Sequence, residues 1–267
     1  MRKLRGSTAL ITGASAGIGS HVARALAAQG MNLALAARSV DKLEQLAAEL
    51  AKTGVKAIAV ETDVTVHESL RNVVAQTVEE FGAIDVLVNN AGIETYREFH
   101  ELEIDEILRT IDTNLTATLV LTRLVIPHML RARRGHVVNM SSTAGKFGPA
   151  YGAAYGASKA GMIAFTETLR GEYKGTGISA SVICPGFTDD GGIYERMKRE
   201  IGRGTPALMG HTDARTVADA VVRAIRKNRP EIIVNSPPMR PMAVLCEMCP
   251  RMGQWIVRLA SRKFLRK

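Results

Sequence analysis

A tyrosine and a lysine four residues apart, Tyr155 and Lys159, are well suited to move a proton. They open a stretch with helical periodicity, in which positions i and i+4 lie on the same face. A free tyrosine has a pKa of about 10, and an ammonium group one turn away favours the phenolate and brings that pKa toward neutral pH. The pair therefore has the chemistry of a general acid and base.

Two further polar side chains could complete such a site. Ser142 follows the apolar run His136–Met140, where its hydroxyl could hydrogen-bond a substrate carbonyl. Asn114 lies midway along a long helical stretch, where an amide is locally unfavourable and requires a kink or a water chain. Each residue alone also has an ordinary interpretation, because Tyr–Lys pairs are common on helices and serines often end strands. Their combination becomes informative beside a cofactor site.

A glycine-rich segment, Thr12–Gly19, predicts that cofactor site. It follows an apolar strand and precedes an amphipathic helix in the first strand–helix–strand unit, which is the context that a dinucleotide-binding turn requires. Glycines let the backbone turn tightly and let a pyrophosphate approach, while the helix N–H groups favour the anion. The residues expected to contact the cofactor here are Gly13, Ser15, Gly17, Ile18 and Gly19.

The end of the second strand-like run selects the nucleotide. NAD sites of this kind usually place an acid there to hold the ribose 2′-hydroxyl, whereas this chain has Arg38 just beyond Ala37 and no acid. An unopposed guanidinium suits a 2′-phosphate through charge-assisted hydrogen bonds. The sequence therefore predicts NADP(H), with NAD(H) as the alternative and a solvated surface arginine as the ordinary interpretation of Arg38.

The elements that must position these residues alternate between short apolar runs and longer amphipathic stretches. The predicted strands are Thr8–Thr12, Asn32–Ala37, Ala57–Val60, Val86–Asn89, His136–Met140, Ser179–Ile183 and Ile232–Val234. The predicted helices include Gly17–Gln29, Asp41–Lys52, Glu68–Phe81, Ile104–Arg131, Tyr155–Lys174 and Thr216–Lys227. This alternation predicts an α/β fold with a parallel sheet covered by helices on both faces.

The chain divides into one domain and two ends. Residues 1–6 form a basic N-terminal extension, 7–235 the domain, and 236–267 a basic, apolar C-terminal tail with a predicted helical segment. Within the domain, residues 185–213 carry six glycines around a short charged helix, Ile193–Ile201. A connection of this length is often a lid or binding element, so it is predicted to be a substrate loop.

The charge distribution argues against a nucleic-acid partner. The chain has 35 basic and 26 acidic residues and a net charge of +9, but the first five residues contribute three of these charges and the last seventeen contribute six. The body between them is neutral, which is hard to reconcile with a surface that coats nucleic acid.

The remaining composition favours a cytoplasmic protein without a metal. There is no secretory signal and no run of about 18 uncharged apolar residues that could span a membrane. Three cysteines cannot all be paired, so a reducing compartment is expected. Cys246 and Cys249 form a single C-x-x-C pair, which at helical spacing more often indicates two buried small residues than a metal site.

Taken together, these motifs resemble those of the short-chain dehydrogenase/reductase family. The pattern T-G-x-x-x-G-x-G matches at 12–19, N-N-A-G at Asn89–Gly92, and Ser-x12-Tyr-x3-Lys at residues 142, 155 and 159, with the helix asparagine at 114. The resemblance covers about residues 7–235 in order and in spacing. It implies a Rossmann-type doubly wound sheet in three α/β/α layers, and a homodimer or homotetramer.

The resemblance also implies roles for particular residues. Tyr155 would be the general acid in reduction and the general base in oxidation, Lys159 would lower its pKa and hold the nicotinamide ribose, Ser142 would orient the substrate oxygen, and Asn114 would hold a water. The further cofactor contacts that it implies are Asp63, Val64, Asn90, Ala91, Gly92, Pro185, Gly186 and Thr188. Asp190 stands where the family often has a threonine, so either Thr188 takes over that contact or the loop runs differently.

The substrate is less well defined than the reaction. The family reduces ketones on fatty-acyl thioesters, steroids, sugars and small alcohols, and fold alone does not decide among them. Apolar residues of the predicted lid, Ile193, Tyr194 and Met197, could face a lipid-like 3-oxoacyl or steroid-type substrate or could pack on the domain. The alternative function is a catalytically inactive dinucleotide-binding or scaffold protein on the same fold.

The tail allows two interpretations. If it is helical from Gly253, one face carries Ile256, Val257, Ala260 and Phe264, and the opposite face carries Arg251, Arg258, Arg262 and Arg266, with Trp255 and Leu259 beside them. Such a helix can pack on the domain or on a neighbouring subunit. It also has the composition of a peripheral membrane anchor, through residues 250–267.

Overall fold

The computed structural model describes residues 4–189 and 210–265 and contains a seven-stranded parallel sheet. Its strands are β1 (Thr8–Thr12), β2 (Asn32–Ala37), β3 (Ala57–Glu61), β4 (Val86–Asn89), β5 (Gly135–Met140), β6 (Ile178–Pro185) and β9 (Glu231–Val234). The strand order is β3-β2-β1-β4-β5-β6-β9. Because the order reverses beside β1, the crevice between β1 and β4 is the switch point where such sheets bind ligands.

Helices cover both faces of this sheet. The principal helices of the domain are α1 (Gly17–Ala27), α2 (Val40–Ala51), α3 (His67–Phe81), α4 (Ile104–Ile111), α5 (Ala117–Ala132), α6 (Ala144–Phe147), α7 (Ala153–Glu172) and α8 (Ala214–Lys227). Residues of α1, α2 and α8 share one apolar core with the sheet, and residues of α3, α5 and α7 share the other. The predicted Rossmann-type, three-layer α/β/α fold is confirmed.

The composition of β1 explains why both faces are covered. Ala9 and Ile11 pack into the core beneath α1, and Leu10 packs into the core on the other face; all three are 0% exposed. A strand that is apolar on both sides gains stability only if both faces are shielded from water, at about 1.5–3 kcal/mol for each large side chain. Two helical layers follow from that requirement.

The long predicted helix Ile104–Arg131 is interrupted in the structure. Helix α4 ends at Ile111, a π-helical turn spans Asp112–Thr116, and α5 continues from Ala117 to Ala132. The apolar periodicity carries through the turn, so a pattern-based prediction sees a single helix. The turn contains Asn114, the residue for which the sequence required a local irregularity.

The predicted lid is bounded by a small pair of strands. The two-residue strands β7 (Thr188–Asp189) and β8 (Thr212–Asp213) pair in parallel on either side of the segment that the structure leaves undescribed. The predicted helix Ile193–Ile201, with Tyr194 and Met197, and the position of Asp190 lie outside the described residues.

The tail forms two helices, α9 (Arg240–Met248) and α10 (Pro250–Leu265), that pack on each other. A Cβ atom added at Gly253 would lie 2.6 Å from the Cα of Cys246, so the two helices approach closely where glycine leaves room. No helix within the described residues is long and apolar enough to cross a membrane.

Candidate active site

Tyr155 and Lys159 lie together on α7, at the carboxyl end of the sheet. Their side chains are buried, and the Lys159 Nζ lies 5.7 Å from the centroid of the Tyr155 ring. The same ammonium donates a hydrogen bond to the carbonyl of Met140, the last residue of β5, at 2.8 Å. Helix α7 is therefore fixed against the strand that precedes Ser142.

Ser142 follows β5 and faces the same space. Its Oγ accepts a hydrogen bond from the Ala144 N–H at 3.1 Å and lies 3.4 Å from the carbonyl oxygen of Pro185. Hydrogen bonding with Ser142 also acts to lower the pKa of Tyr155. The serine and tyrosine hydroxyls can thus address one substrate oxygen.

The pKa of Tyr155 differs from the sequence-based expectation. Burial raises it well above the usual value of about 10, and the nearby carboxylate of Glu94 raises it further. Lys159 was expected to lower it, but this ammonium is itself desolvated, and burial lowers the Lys159 pKa to about 8. In the structure as described, Tyr155 is therefore a protonated phenol at neutral pH, which is the form that acts as an acid.

Asn114 connects the π-helical turn to the strand end that bears the N-N-A-G motif. Its Oδ1 accepts a hydrogen bond from the Ile93 N–H at 2.8 Å, and its Nδ2 donates to the Ile93 carbonyl at 2.9 Å and to Ser158 Oγ at 3.0 Å. The side chain is 0% exposed. The π-helical turn, a feature often found at functional sites, directs this amide inward.

The glycine turn after β1 is too crowded for side chains. Gly13 has φ +65°, and a Cβ atom on Gly19 would overlap the Gly13 carbonyl oxygen and lie 2.6 Å from Asn90 Nδ2. That Nδ2 donates to the carbonyls of Thr12 and Gly13 at 3.0 and 3.2 Å. The turn is therefore packed closely against itself and against Asn90, which holds its backbone in place.

Arg38 occupies an exposed position directly after β2, at the same end of the sheet as that turn, because β2 is the parallel neighbour of β1. Asp63 follows β3; hydrogen bonds from the Thr65 hydroxyl and N–H lower its pKa, and Arg38 is close enough to lower it further. Among the residues described, no carboxylate lies within ion-pair distance of Arg38. Val64 packs against the core beneath α3.

The end of β6 forms the opposite border of the crevice. Pro185 is the last residue of the strand, and a Cβ atom on Gly186 would overlap the Asn235 side chain. Thr188 is 5% exposed and donates its hydroxyl to the Gly186 carbonyl at 3.1 Å. Thr188 therefore stays at the crevice, on the near side of the undescribed segment.

These groups border one cavity of about 490 Å³. The predicted site residues that line it are Gly13, Gly17, Ile18, Asn90, Ala91, Gly92, Ser142, Tyr155, Lys159, Pro185, Gly186 and Thr188. The predicted residues that do not line it are Ser15, Gly19, Arg38, Asp63, Val64 and Asn114. Asn114 is hydrogen-bonded to Ile93, between the lining residues Gly92 and Glu94. Arg38 and Asp63 follow the neighbouring strands β2 and β3, where the far end of an extended dinucleotide would lie.

Among the cavity residues that were not predicted from the sequence, two lie next to Tyr155 or act on it. Glu94 lines the cavity, and the ring of Tyr96 lies 5.9 Å from that of Tyr155, centroid to centroid. Both follow the motif Asn89–Gly92 within a few residues, and this position was the only signal for them.

The tail supplies the outer wall of the same cavity. Ile256, Val257 and Ala260 of α10 line it, and the buried Ser261 accepts a hydrogen bond from the Ala150 N–H at 3.1 Å. The apolar face predicted for the tail thus contacts the domain beside the site; the side chain of Phe264 lies outside the described part of the chain.

A doubly wound sheet with a glycine turn at its switch point and a buried tyrosine–lysine pair defines a dinucleotide-dependent oxidoreductase. The family model for short chain dehydrogenase matches residues 7–200, and the chain belongs to this family. It is therefore an oxidoreductase that acts on a carbonyl or alcohol group.

Relatives agree in sequence and in structure. The ketoacyl reductase HetN of Nostoc sp. is 41% identical over 239 residues, which are 90% of this chain and 82% of that protein. A 3-oxoacyl-[acyl-carrier-protein] reductase of Synechocystis sp. is 37% identical over 188 residues, 70% of this chain and 76% of that protein.

Solved structures similar to this one include the following two. A Burkholderia phymatum short chain dehydrogenase/reductase in complex with NAD has a TM-score of 0.84 and 27% identity, and covers 95% of this chain and 97% of its own. A Thermococcus sibiricus alcohol dehydrogenase complexed with 5-hydroxy-NADP has a TM-score of 0.75 and 31% identity, and covers 86% and 96%.

Proposed function

We propose that this protein reduces the ketone of an apolar, lipid-like substrate with NADPH, and that Tyr155 is the general acid. The observation that carries the proposal is the position of the buried Tyr155 in a cavity that the glycine turn borders on one side and the apolar tail on the other. A protonated phenol with a raised pKa fits the reductive direction, in which the substrate oxygen takes up a proton.

The residues of the crevice fit a dinucleotide, since Gly13, Gly17 and Ile18 of the glycine turn and the start of α1 line the cavity, where a helix N-terminus favours a pyrophosphate. The nicotinamide, when bound, supplies the hydride to the carbonyl carbon. Tyr155 donates its proton to the carbonyl oxygen while Ser142 hydrogen-bonds the same atom. Lys159 anchors the start of α7 to β5 through its hydrogen bond to Met140, and its ammonium would hydrogen-bond the nicotinamide ribose. Asn114 keeps the segment after β4 in place through its hydrogen bonds to Ile93.

The substitution Tyr155→Phe tests the catalytic role. We expect the variant to lose at least about a thousandfold in kcat, because it has no proton to give, while it binds NADPH with nearly unchanged affinity. A variant that no longer turns over substrate but still binds NADPH would support the mechanism. Substantial activity in this variant would overturn it, and a wild-type protein that binds NADPH but reduces no carbonyl compound would support the scaffold alternative.

The preference for NADPH rests on Arg38. Its guanidinium is exposed at the end of β2 without a paired carboxylate among the described residues, and it suits the 2′-phosphate. We expect Arg38→Ala to weaken NADPH by roughly tenfold to a hundredfold and NADH much less. Lys42→Ala, which removes an exposed cation from the next helix, is the control. A wild-type enzyme that already prefers NADH would contradict this part of the proposal.

The proposed substrate class rests on the apolar walls of the cavity. Phe147, Met239, Met242, Ile256 and Val257 surround the approach to Tyr155, and two relatives carry names that describe ketoacyl reductases. A series of 3-oxoacyl thioesters of increasing chain length tests it. We expect kcat/KM to rise by about threefold or fourfold for each methylene until the cavity is full. Equal rates along the series would favour a small, polar substrate.

We also propose that the protein forms a homodimer or homotetramer in the cytoplasm. Ile104 and Leu108 of α4 are 73% and 54% exposed, which is unusual for large apolar side chains on one helix face. The three cysteines are free thiols, which supports the proposal of a reducing compartment. Sedimentation equilibrium of the wild type and of Leu108→Glu would show whether this face joins subunits.

A further inference from the structure

Helix α10 carries large apolar side chains on the side away from the cavity. Met252, Trp255 and Leu259 are 48%, 54% and 51% exposed, and Met248, at the end of α9, is 78% exposed. The spacing of the three α10 residues places them in one stripe along the helix. Because Ile256, Val257 and Ala260 already fill the cavity side, packing within the described chain does not account for this second apolar stripe.

Three arginines run beside that stripe. Arg251, Arg258 and Arg262 are all exposed, and none of them forms an ion pair with another described residue. The segment from residue 251 to the last residue of the sequence has no acidic residue, and Glu247 is the one acidic residue in the two tail helices. We call the exposed residues Met248, Met252, Trp255, Leu259 and these three arginines the outer tail face.

We propose that the outer tail face binds an anionic lipid surface. Apolar side chains with a tryptophan, flanked by arginines, match an interface where acyl chains lie below negatively charged headgroups. Each arginine there gains a counter-charge, and the apolar stripe leaves water.

A second copy of the chain fits this face less well. A two-fold contact places the same patch on both partners, so it would bring the unpaired arginines of one copy toward those of the other. Protein interfaces are also depleted of charge at their centre, whereas here the charged and apolar stripes adjoin along the whole helix. An anionic lipid surface provides negative charge for the arginines and accepts adjoining charged and apolar stripes. The proposal does not depend on the proposed substrate.

The single tryptophan of the chain makes the proposal directly measurable. Trp255 is the only tryptophan, so the tryptophan emission of the full-length protein, excited selectively over tyrosine, reports on the outer tail face alone. We expect a blue shift and co-sedimentation with vesicles of equal parts phosphatidylglycerol and phosphatidylcholine. Partitioning should be at least tenfold weaker with pure phosphatidylcholine and should fall steeply with added salt.

Two variants separate the apolar and the charged contributions. Leu259→Glu and the double variant Arg251→Glu/Arg258→Glu should each weaken partitioning into the anionic vesicles at least tenfold, and both retain the fluorescent reporter. The matched control is Arg226→Glu on the last turn of α8, just before the amino end of β9, whereas the tail follows the carboxyl end of that strand; this variant should partition like the wild type. Thermal melts and NADPH binding show whether each variant is folded.

Three results would overturn the proposal. The first is equal partitioning into anionic and neutral vesicles, and the second is an Arg226→Glu variant whose partitioning weakens as much as that of the tail variants. The third is the absence of binding at millimolar lipid.

A fourth result would also overturn it. In that case the Trp255 emission shifts with protein concentration in the absence of vesicles, and Leu259→Glu lowers the sedimentation coefficient. That outcome would identify the outer tail face as a contact between copies.

Discussion

At the scale of single residues, the pKa of Tyr155 depends on a carboxylate that faces the same cavity. Glu94 raises the pKa of Tyr155 in addition to the effect of burial. In alcohol oxidation Tyr155 must be deprotonated, so the rate rises with pH through its pKa in the complex with the oxidised, positively charged nicotinamide. We expect Glu94→Gln to move the half-maximal pH of oxidation down by roughly half a unit to one unit.

The measurement that checks this expectation is the pH profile of kcat for alcohol oxidation, compared among the wild type, Glu94→Gln and the control Glu101→Gln. Glu101 is an exposed carboxylate on a neighbouring turn and should leave the profile in place. A profile that does not move in Glu94→Gln would show that this carboxylate is neutral or screened in the complex.

Burial of the Lys159 ammonium lowers the free energy of unfolding of the protein. Its pKa of about 8 in the folded protein is below the ordinary 10.5, so between these values the unfolded chain holds a proton that the folded chain has released. The free energy of unfolding therefore rises with pH across this window, and the full penalty is present below pH 8. We expect Lys159→Met to be more stable than the wild type at pH 7 by about 1–3 kcal/mol, net of the lost hydrogen bond to Met140.

Urea unfolding at several pH values measures this effect. The advantage of Lys159→Met should shrink from pH 8 upward and vanish near the ordinary lysine pKa, while the variant loses turnover at every pH. An advantage that is constant with pH would mean that side-chain packing, and not the buried charge, is responsible.

The sequence was most informative for residues whose spacing is local. Tyr155, Lys159 and the glycine turn could be located because a helix or a turn fixes their relative positions. The proximity of Glu94 to Tyr155 joins two distant parts of the chain, and an acid after a strand has no distinctive pattern. The raised pKa of Tyr155 likewise depends on burial, which a single sequence does not reveal.

At the scale of elements, the β1–α1 turn has no room for a methyl group at one position. A Cβ atom on Gly19 would overlap the Gly13 carbonyl oxygen and press on Asn90. We expect Gly19→Ala to weaken NADPH binding by roughly tenfold to a hundredfold, because overpacking displaces the backbone that meets the pyrophosphate. Titration of NADPH fluorescence measures the loss.

Gly171→Ala provides a matched control for the glycine substitution. A Cβ atom there has no neighbour within 4 Å, and the residue lies within α7. This variant should bind NADPH like the wild type and gain slightly in stability, since alanine favours helix. Equal binding by both variants would show that the turn can adapt.

The strands and helices of the domain were largely predictable, because apolar runs and amphipathic stretches follow directly from the need to bury both faces of the sheet. The π-helical turn at Asn114 was not. The sequence shows only that an amide there is unfavourable in a regular helix, and the choice among kink, water and π turn depends on Ile93 and Ser158, which come from elsewhere in the chain.

At the scale of the whole molecule, the tail forms the outer wall of the cavity that Tyr155 lines. Truncation after Pro238 removes both tail helices and leaves the glycine turn and Tyr155 in place. We expect NADPH affinity to change less than threefold, while kcat/KM for a long-chain 3-oxoacyl thioester falls at least tenfold because its chain is left in water. A small ketone should lose much less.

The full-length variant Leu259→Glu is the control for this truncation. It alters the outer side of α10 and leaves Ile256, Val257 and Ala260 on the cavity side, so its activity on soluble substrates should stay close to that of the wild type. Parallel losses with long and short substrates in the truncated protein would indicate that the domain itself is damaged.

The part of the cavity wall that the tail forms and the groups proposed to react occupy separate stretches of the polypeptide. Substitutions after residue 236 can alter what fits against Ile256 and Val257 without touching Tyr155, Lys159 or the turn at Gly13. Selection can therefore act on the two independently: lineages are free to diversify the compounds they accept while they keep one inherited chemistry. Exchange of this short segment between relatives is a direct way to transplant a preference.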